Sequence, residues 1–282
     1  MIEFVKMHGI GNDYIFVDCL DGNIPSNLPE LSRRMSDRHF GIGADGLVLI
    51  VPPEAEDNHC RMRMFNADGS EAEMCGNAIR CVAKLVHESG RITDNPLRIE
   101  TGSGVLVLEL RIESDKVDSV RVDMGPPRLV PREIGVKLDG ERALDVPFSA
   151  GGREFRINCV SMGNPHAVIF LDEPVEKFPV AKYGPLIEND PLFVNRTNVE
   201  FINVLGPGSL RQRTWERGSG ETLACGTGAS AVSVAAILNG RCEPGMVSIR
   251  LNGGELELEW REGENVFMTG PAEEVFRGVW PE

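Results

Sequence analysis

Between Cys60 and Phe65 the chain alternates as Cys-Arg-Met-Arg-Met-Phe, the pattern of a half-buried strand. A Gly/Ser/Asp loop follows it. From Ala78 to His87 the apolar residues Ile79, Val82, Ala83 and Val86 fall at helical spacing, and Gly90 supplies a stop. From Gly228 to Leu238 nearly every face is small or apolar. That pattern predicts a helix buried all round, ended by Asn239-Gly240. Strands are predicted at 96–101, 104–112, 117–123, 247–251, 255–260 and 264–269, joined by turns such as Thr-Gly-Ser-Gly and Asn-Gly-Gly.

The pattern repeats. The run from Cys60 through Cys75-Gly76 matches the run from Leu210 through Cys225-Gly226 at a gapless offset of 150 residues. Arg61 matches Arg211, Arg63 matches Arg213, Phe65 matches Trp215 and Glu71 matches Glu221. Gly11-Asn12 and Gly163-Asn164 correspond at an offset of 152, and each precedes an apolar run ending in Asp, at Asp18 and Asp172. Thr101-Gly102 and Asn252-Gly253 occupy hairpin-like turns at an offset of 151. A duplicated unit of about half the chain accounts for all of these.

The expected fold is therefore α+β: two pseudo-symmetric lobes from an internal duplication, each an antiparallel, barrel-like sheet around a central helix. Gly125-Pro126-Pro127 marks the expected boundary, and Gly270-Pro271 precedes a chain end expected to return to the first lobe. This division gives residues 1–123 plus 268–282 with Cys75, and 124–267 with Cys225.

Composition narrows the function. The chain has 282 residues, 41% of them apolar and 26% charged, with a net charge of −14. That is an ordinary folded protein. The acidic balance argues against nucleic acid or anionic membrane as partner, and leaves room for a small charged substrate in a local pocket. No apolar run approaches the roughly 18 residues of a membrane span. The opening MIEFVKMHG lacks a long apolar stretch, so no signal peptide and a cytoplasmic location are expected. An odd number of cysteines, seven, argues against a disulfide framework, and the absence of C-x-x-C and H-x-x-x-H pairs argues against structural zinc. No metal or cofactor is expected.

Cys75 and Cys225 stand apart from the other thiols. Each is placed where a glycine-rich loop meets a helix start. Unpaired N–H groups and the helix dipole there lower a thiol pKa and attract a carboxylate. Two such cysteines on related lobes, able to face each other across a cleft, suit inversion of a carbon acid. One thiolate would take the α-proton and the other thiol would return a proton to the opposite face. The N–H groups of Gly76, Asn77, Gly226 and Thr227 would hold the α-carboxylate as charge develops on it. Cys19, Cys60, Cys81, Cys159 and Cys242 are expected to be core filler.

Several motifs resemble the diaminopimelate epimerase family. They are Phe4-Val-Lys-Met-His-Gly-Ile-Gly-Asn-Asp-Tyr14, Arg38-His-Phe-Gly-Ile-Gly-Ala-Asp-Gly46, Phe65-Asn-Ala-Asp-Gly-Ser-Glu71, Met74-Cys-Gly-Asn-Ala-Ile-Arg80, Gly163-Asn-Pro-His166, Glu216-Arg-Gly218 and Ala224-Cys-Gly-Thr-Gly-Ala229. Together they span nearly the whole chain. The resemblance implies an epimerase independent of pyridoxal phosphate that interconverts LL- and meso-2,6-diaminopimelate. It also implies a place in lysine and cell-wall precursor synthesis, and a homodimer. It assigns Cys75 and Cys225 as the acid/base pair, assisted by His166 and Glu216. Asn12, Asn66, Gly76, Asn77, Asn164, Asn198, Glu216, Arg217, Gly226 and Thr227 follow as substrate contacts. The residue types agree: Arg217 offers a fork for a distal carboxylate and Glu216 an anion for an ammonium group. Some relatives carry Gln where this chain has Gly46, so Gly46 is not counted as a ligand.

Other readings remain at this stage. His166 could cap the turn after Pro165, and Glu216 and Arg217 could be a surface pair. Arg61, Arg63, Arg211 and Arg213 are expected on the solvent-facing or structural side of paired strands. The rival functions are a proline-racemase-like isomerase and a redox switch joining Cys75 to Cys225. Asn77 after Cys75-Gly76 disfavours the first, because the proline enzymes typically place His there. A phenazine-biosynthesis-like isomerase would lack the cysteine pair.

Overall fold

The computed structural model describes residues 1–281. The chain opens with β1 (Ile2–Gly9), β2 (Asn12–Asp18), α1 (Leu28–Ser36), β3 (Gly46–Val51), β4 (Cys60–Asn66), β5 (Glu71–Ala72), α2 (Gly76–Glu88), β6 (Leu97–Thr101), β7 (Gly104–Glu113) and β8 (Lys116–Asp123). Then come β9 (Ala143–Ala150), β10 (Arg153–Ser161), β11 (Pro165–Phe170), α3 (Val180–Glu188), β12 (Asn198–Gly206), β13 (Ser209–Glu216), β14 (Gly220–Thr222), α4 (Gly226–Leu238), β15 (Gly245–Arg250), β16 (Glu255–Trp260), β17 (Phe267–Gly270) and β18 (Glu273–Trp280). Two compact units result: Met1–Asp123 together with the stretch from Thr269 onward, and Met124–Met268.

The duplication is visible in the strand pairings. In the first unit β1 pairs antiparallel with β2, β2 parallel with β3, β3 antiparallel with β4, β4 antiparallel with β5 and parallel with β6, and β6 antiparallel with β7. In the second unit β10, β11, β12, β13, β14, β15 and β16 repeat that series in the same senses. β18 closes on β1 as β9 does on β10. Most pairs are antiparallel, as expected, but the pairing within each unit is mixed. The parallel pair β2–β3 is bridged by α1 and the parallel pair β11–β12 by α3, neither of which the apolar spacing announced. Parallel strands need such a crossover.

The two central helices have 13 residues each and start 150 positions apart. α2 packs on β1, β2, β7 and β8, and α4 on β10, β11, β12, β15 and β16. Both are buried along nearly their whole length, which is why α4 can dispense with charged residues. Each begins two residues earlier than the apolar spacing indicates, because Gly76 and Gly226 already have helical backbone. Each is left through a glycine in the left-handed region, Gly90 at φ 71° and Gly240 at φ 64°, where a side chain would be strained. A further apolar cluster in the first unit unites Ile15, Leu47, Leu49 and Phe65, and one in the second unites Ile157, Phe178, Val199 and Phe201.

Candidate active site

Cys75 is the residue before α2 and has extended backbone, φ −141° and ψ 120°. Its Sγ donates to Asn12 Oδ1 at 3.4 Å, and Asn77 Nδ2 donates to the same oxygen at 3.2 Å. Asn12 in turn donates to Asp45 Oδ2 at 2.6 Å. Asp45 also accepts from the Asp13 backbone N–H and from Arg38. Asp13 is paired with Lys6 and Arg38. Tyr14 lies beside this cluster. Burial first, then the charge and hydrogen bond of Cys75, push its phenol well above the ordinary value.

Beneath Cys75 the buried Arg80 donates to Gly76 O at 2.9 Å, Asn77 Oδ1 at 3.0 Å and Pro271 O at 3.1 Å. The guanidinium thus fixes the first turn of α2. Gly9 leaves the room this needs: a Cβ there would stand 2.9 Å from both Arg80 Nη2 and Asn77 O. Asn66 ends β4 opposite Gly46 and donates to Ser70 Oγ at 3.0 Å. A side chain at Gly46 would collide with the Phe65 carbonyl oxygen, so this backbone admits only glycine.

Cys225 precedes α4 in the same way, at φ −133° and ψ 107°. Gly228 N–H donates to its Sγ at 3.3 Å, and Thr227 Oγ1 lies 3.5 Å away. Asn164 Nδ2 donates to Thr227 Oγ1 at 3.2 Å, and its Oδ1 lies 3.0 Å from His166 Nε2. His166 is buried rather than capping an exposed turn, and its Nδ1 lies 2.8 Å from Glu200 Oε1. Glu216 ends β13, where its Oε1 accepts from Thr222 at 2.5 Å. Asn198 Oδ1 accepts from the Arg217 N–H at 2.9 Å, and Arg217 Nη1 donates to Asn195 O at 2.9 Å.

The helix-start argument for a lowered thiol pKa does not hold at Cys225. Burial, then the charges of Glu216 and Glu200, push this thiol well above its ordinary value, outweighing the Thr227 and Gly228 hydrogen bonds. At neutral pH Cys225 therefore carries its proton. Cys75 is more accessible than Cys225. The remaining five cysteines are buried, and desolvation pushes Cys60, Cys81 and Cys159 up to about 12. The repeated arginines are structural rather than solvent-facing: Arg63 pairs with Glu71 at 2.8 Å and Arg213 with Glu221 at 2.7 Å, and Arg213 also donates to the Val175 and Phe178 carbonyls.

Within the first unit the structure thus gathers Asn12, Cys75, Gly76 and Asn77. Within the second it gathers Asn164, His166, Cys225, Gly226 and Thr227, while Asn198 and Arg217 are joined to each other. Residue chemistry alone missed Asp45, Tyr14, Arg80, Thr222 and Glu200. Tyr14, Asp45 and Arg80 were visible only as parts of longer motifs. Among the described residues, no group of three or more His, Cys, Asp or Glu is arranged to hold a metal ion, and no helix is long and apolar enough to cross a membrane.

The same architecture occurs in solved structures. A probable proline racemase from Agrobacterium radiobacter matches with a TM-score of 0.71 at 18% identity, covering 100% of this chain and 93% of that one. A phenazine biosynthesis protein from Bacillus anthracis matches with a TM-score of 0.70 at 15% identity, covering 99% of both chains. At such identities the likeness concerns the fold. Sequence relatives are nearer. The diaminopimelate epimerase of Pelotomaculum thermopropionicum is 52% identical over 281 residues, 99% of each chain. That of Acetivibrio thermocellus is 52% identical over 278 residues, 98% of each chain. That of Methanococcus maripaludis is 50% identical, covering 98% of this chain and 99% of its own. The diaminopimelate epimerase family profile matches residues 4–130 and 158–275, stretches that hold both cysteine-capped helices and the strands around them. With the profile, the relatives and the duplicated cysteine turns in agreement, this chain belongs to the diaminopimelate epimerase family.

Proposed function

We infer that the protein interconverts LL- and meso-2,6-diaminopimelate by inverting one α-carbon, with Cys75 and Cys225 as its two bases. The observation that carries this reading is identity of about half over nearly the full length to diaminopimelate epimerases, with a cysteine at the start of each duplicated helix. The proposed catalytic lobes are residues 1–123 plus 268–282 and residues 124–267.

Inversion requires a base and an acid at opposite faces of one carbon. One sulfur, as thiolate, takes the α-proton and becomes a thiol. The electron pair of the broken C–H bond spreads into the α-carboxylate. The other sulfur delivers its proton to the opposite face and becomes a thiolate. In reverse the two exchange roles, which is why they must be alike.

The N–H groups of Gly76, Asn77, Gly226 and Thr227 hold the α-carboxylate. Fixed donors of this kind typically contribute on the order of 10²–10³ each in rate. Arg217 receives the distal carboxylate as a two-pronged donor. Glu216 faces an ammonium group, and Asn12, Asn66, Asn164 and Asn198 serve the remaining polar groups. His166 and Glu216 assist the cysteines by orientation. The proposal extends to a cytoplasmic homodimer serving lysine and peptidoglycan precursor synthesis, as the family resemblance implies.

The test is direct. Purified protein with reductant and no added cofactor is incubated with LL-diaminopimelate. Appearance of the meso isomer to equilibrium is expected, and a lack of conversion overturns the reading.

A further inference from the structure

Glu200 has no part in the scheme above, yet it stands beside the second cysteine. Its side chain and that of His166 are both fully buried. Oε1 lies 2.8 Å from His166 Nδ1, while Oε2 has no hydrogen-bond partner among the described residues. A carboxylate so placed is costly unless its charge is answered.

The hydrogen-bond directions show how it is answered. Asn164 Oδ1 can only accept, so His166 donates to it from Nε2. The contact between Nδ1 and Oε1 must then hold a proton, as imidazolium with carboxylate or imidazole with carboxylic acid. Either way one proton is held between them, and the carboxyl group is the member of the pair that meets the Gly228 turn beside the Cys225 sulfur. Asn164 Nδ2 donates onward to Thr227 Oγ1, which leaves the threonine its own proton for the Cys225 sulfur. The chain runs from Glu200 through His166, Asn164 and Thr227 to Cys225.

Gly228 brings the carboxylate and the sulfur to the same turn. A Cβ there would stand 2.7 Å from Glu200 Oε1 and 3.2 Å from Cys225 Sγ. The first lobe has no such arrangement. Strand register places Tyr14 where the second lobe has His166, and Val48 where it has Glu200. Ala78 stands in the helix where the second lobe has Gly228. The charged pair belongs to one cysteine only.

We propose that Glu200 is a positioning residue for Cys225: with His166 it forms a buried proton-holding pair that sets the Asn164–Thr227 chain and thereby the proton on the sulfur. Its consequence for turnover rests on the epimerase reading; its effect on the sulfur does not. The groups facing Cys225 are Glu216 from the end of β13, Glu200 from β12, His166 from β11 through Asn164, and the Thr227 hydroxyl and Gly228 N–H from α4. Of these, both carboxylates oppose ionisation of the thiol.

The test uses the full-length protein, Glu200→Gln and Glu200→Val, the latter placing the first-lobe residue in the second lobe. Alkylation by iodoacetamide is followed against pH, with the Cys75 and Cys225 peptides quantified separately. Loss of the neighbouring carboxylate should lower the Cys225 midpoint by about half a pH unit or more and leave that of Cys75 in place. In turnover, kcat should fall about tenfold or more with KM within about twofold, the signature of a group acting on the chemical step. The near-isosteric Glu200→Gln keeps the test decisive if Glu200→Val does not fold. A Cys225 midpoint that stays put or rises overturns the proposal, as does an equal shift at both sulfurs. Wild-type protein that shows the expected alkylation shift against its variants but no epimerisation would remove the functional reading and leave the pair standing.

Discussion

Gly228→Ala tests how tightly the turn that carries Cys225 is built. In an exposed helix this change stabilises by about 1 kcal/mol. Here the new methyl would sit 2.7 Å from Glu200 Oε1 and 3.2 Å from both Cys225 Sγ and Gln212 Nε2. Ordinary contact begins near 3.4 Å, so the carboxylate must retreat by roughly 0.7 Å and the other two atoms by a few tenths. Glu200 cannot swing freely, because its other contact is the 2.8 Å bond to His166. Overpacking of this kind typically costs about 1–3 kcal/mol. The net expectation is a loss of about 0–2 kcal/mol, read as a lower urea midpoint. Activity should suffer more, since displacement of catalytic groups by a fraction of an ångström to 1 Å costs up to about 10²-fold. Ala78→Gly, at the matching turn of the first lobe, is the control: it should cost about 1 kcal/mol through helix propensity. A Gly228→Ala protein more stable than wild type, with full kcat, would refute the close approach on which this reasoning rests.

Cys75→Ala and Cys225→Ala should each abolish inversion while leaving the circular dichroism spectrum intact; normal turnover by either variant contradicts the two-base scheme. Arg217→Ala should raise KM for the diacid about tenfold or more with little effect on the urea midpoint, since loss of a charged hydrogen bond costs about 1.5–3 kcal/mol; an unchanged KM removes its assigned role. Burial works to raise the Asp13 pKa, but the hydrogen bonds and charges of Arg38 and Lys6 together hold it below the ordinary value. The unfolded chain therefore takes up this proton first, so the contribution to stability is present above about pH 4 and lost as pH falls through the folded value. Asp13→Asn should accordingly be less stable than wild type at neutral pH, with the gap narrowing by pH 3; a constant gap contradicts the pairing.

What could be read in the sequence was local. The alternation from Cys60 to Phe65 became β4, and the helical spacing of Ile79, Val82, Ala83 and Val86 became α2, because each pattern describes one face of one element. The repeat was legible for the same reason: the loop joining β4 to α2 matches that joining β13 to α4 without a gap. What stayed hidden depends on strand register. His166 and Glu200 are 34 residues apart and meet because β11 and β12 run parallel across α3. No local pattern marks that register. α3 was hidden too, being a nine-residue helix with Gly184 and Pro185 inside it, residues that normally argue against a helix. The thiol chemistry was half legible. Helix starts favour thiolates, but burial and two carboxylates reverse the balance at Cys225, and burial is a tertiary property.

The central claim is that two sulfurs, one from each half of the duplicated chain, handle the proton on the two faces of one carbon. Its most direct test is epimerisation of unlabelled LL-diaminopimelate in deuterated water, sampled early, with deuterium at the α-carbon measured separately in residual substrate and in product. The account predicts deuterium in the meso product from the first turnovers while the remaining LL isomer stays unlabelled. Early labelling of both isomers to the same extent would mean that a single base serves both faces, and would contradict it.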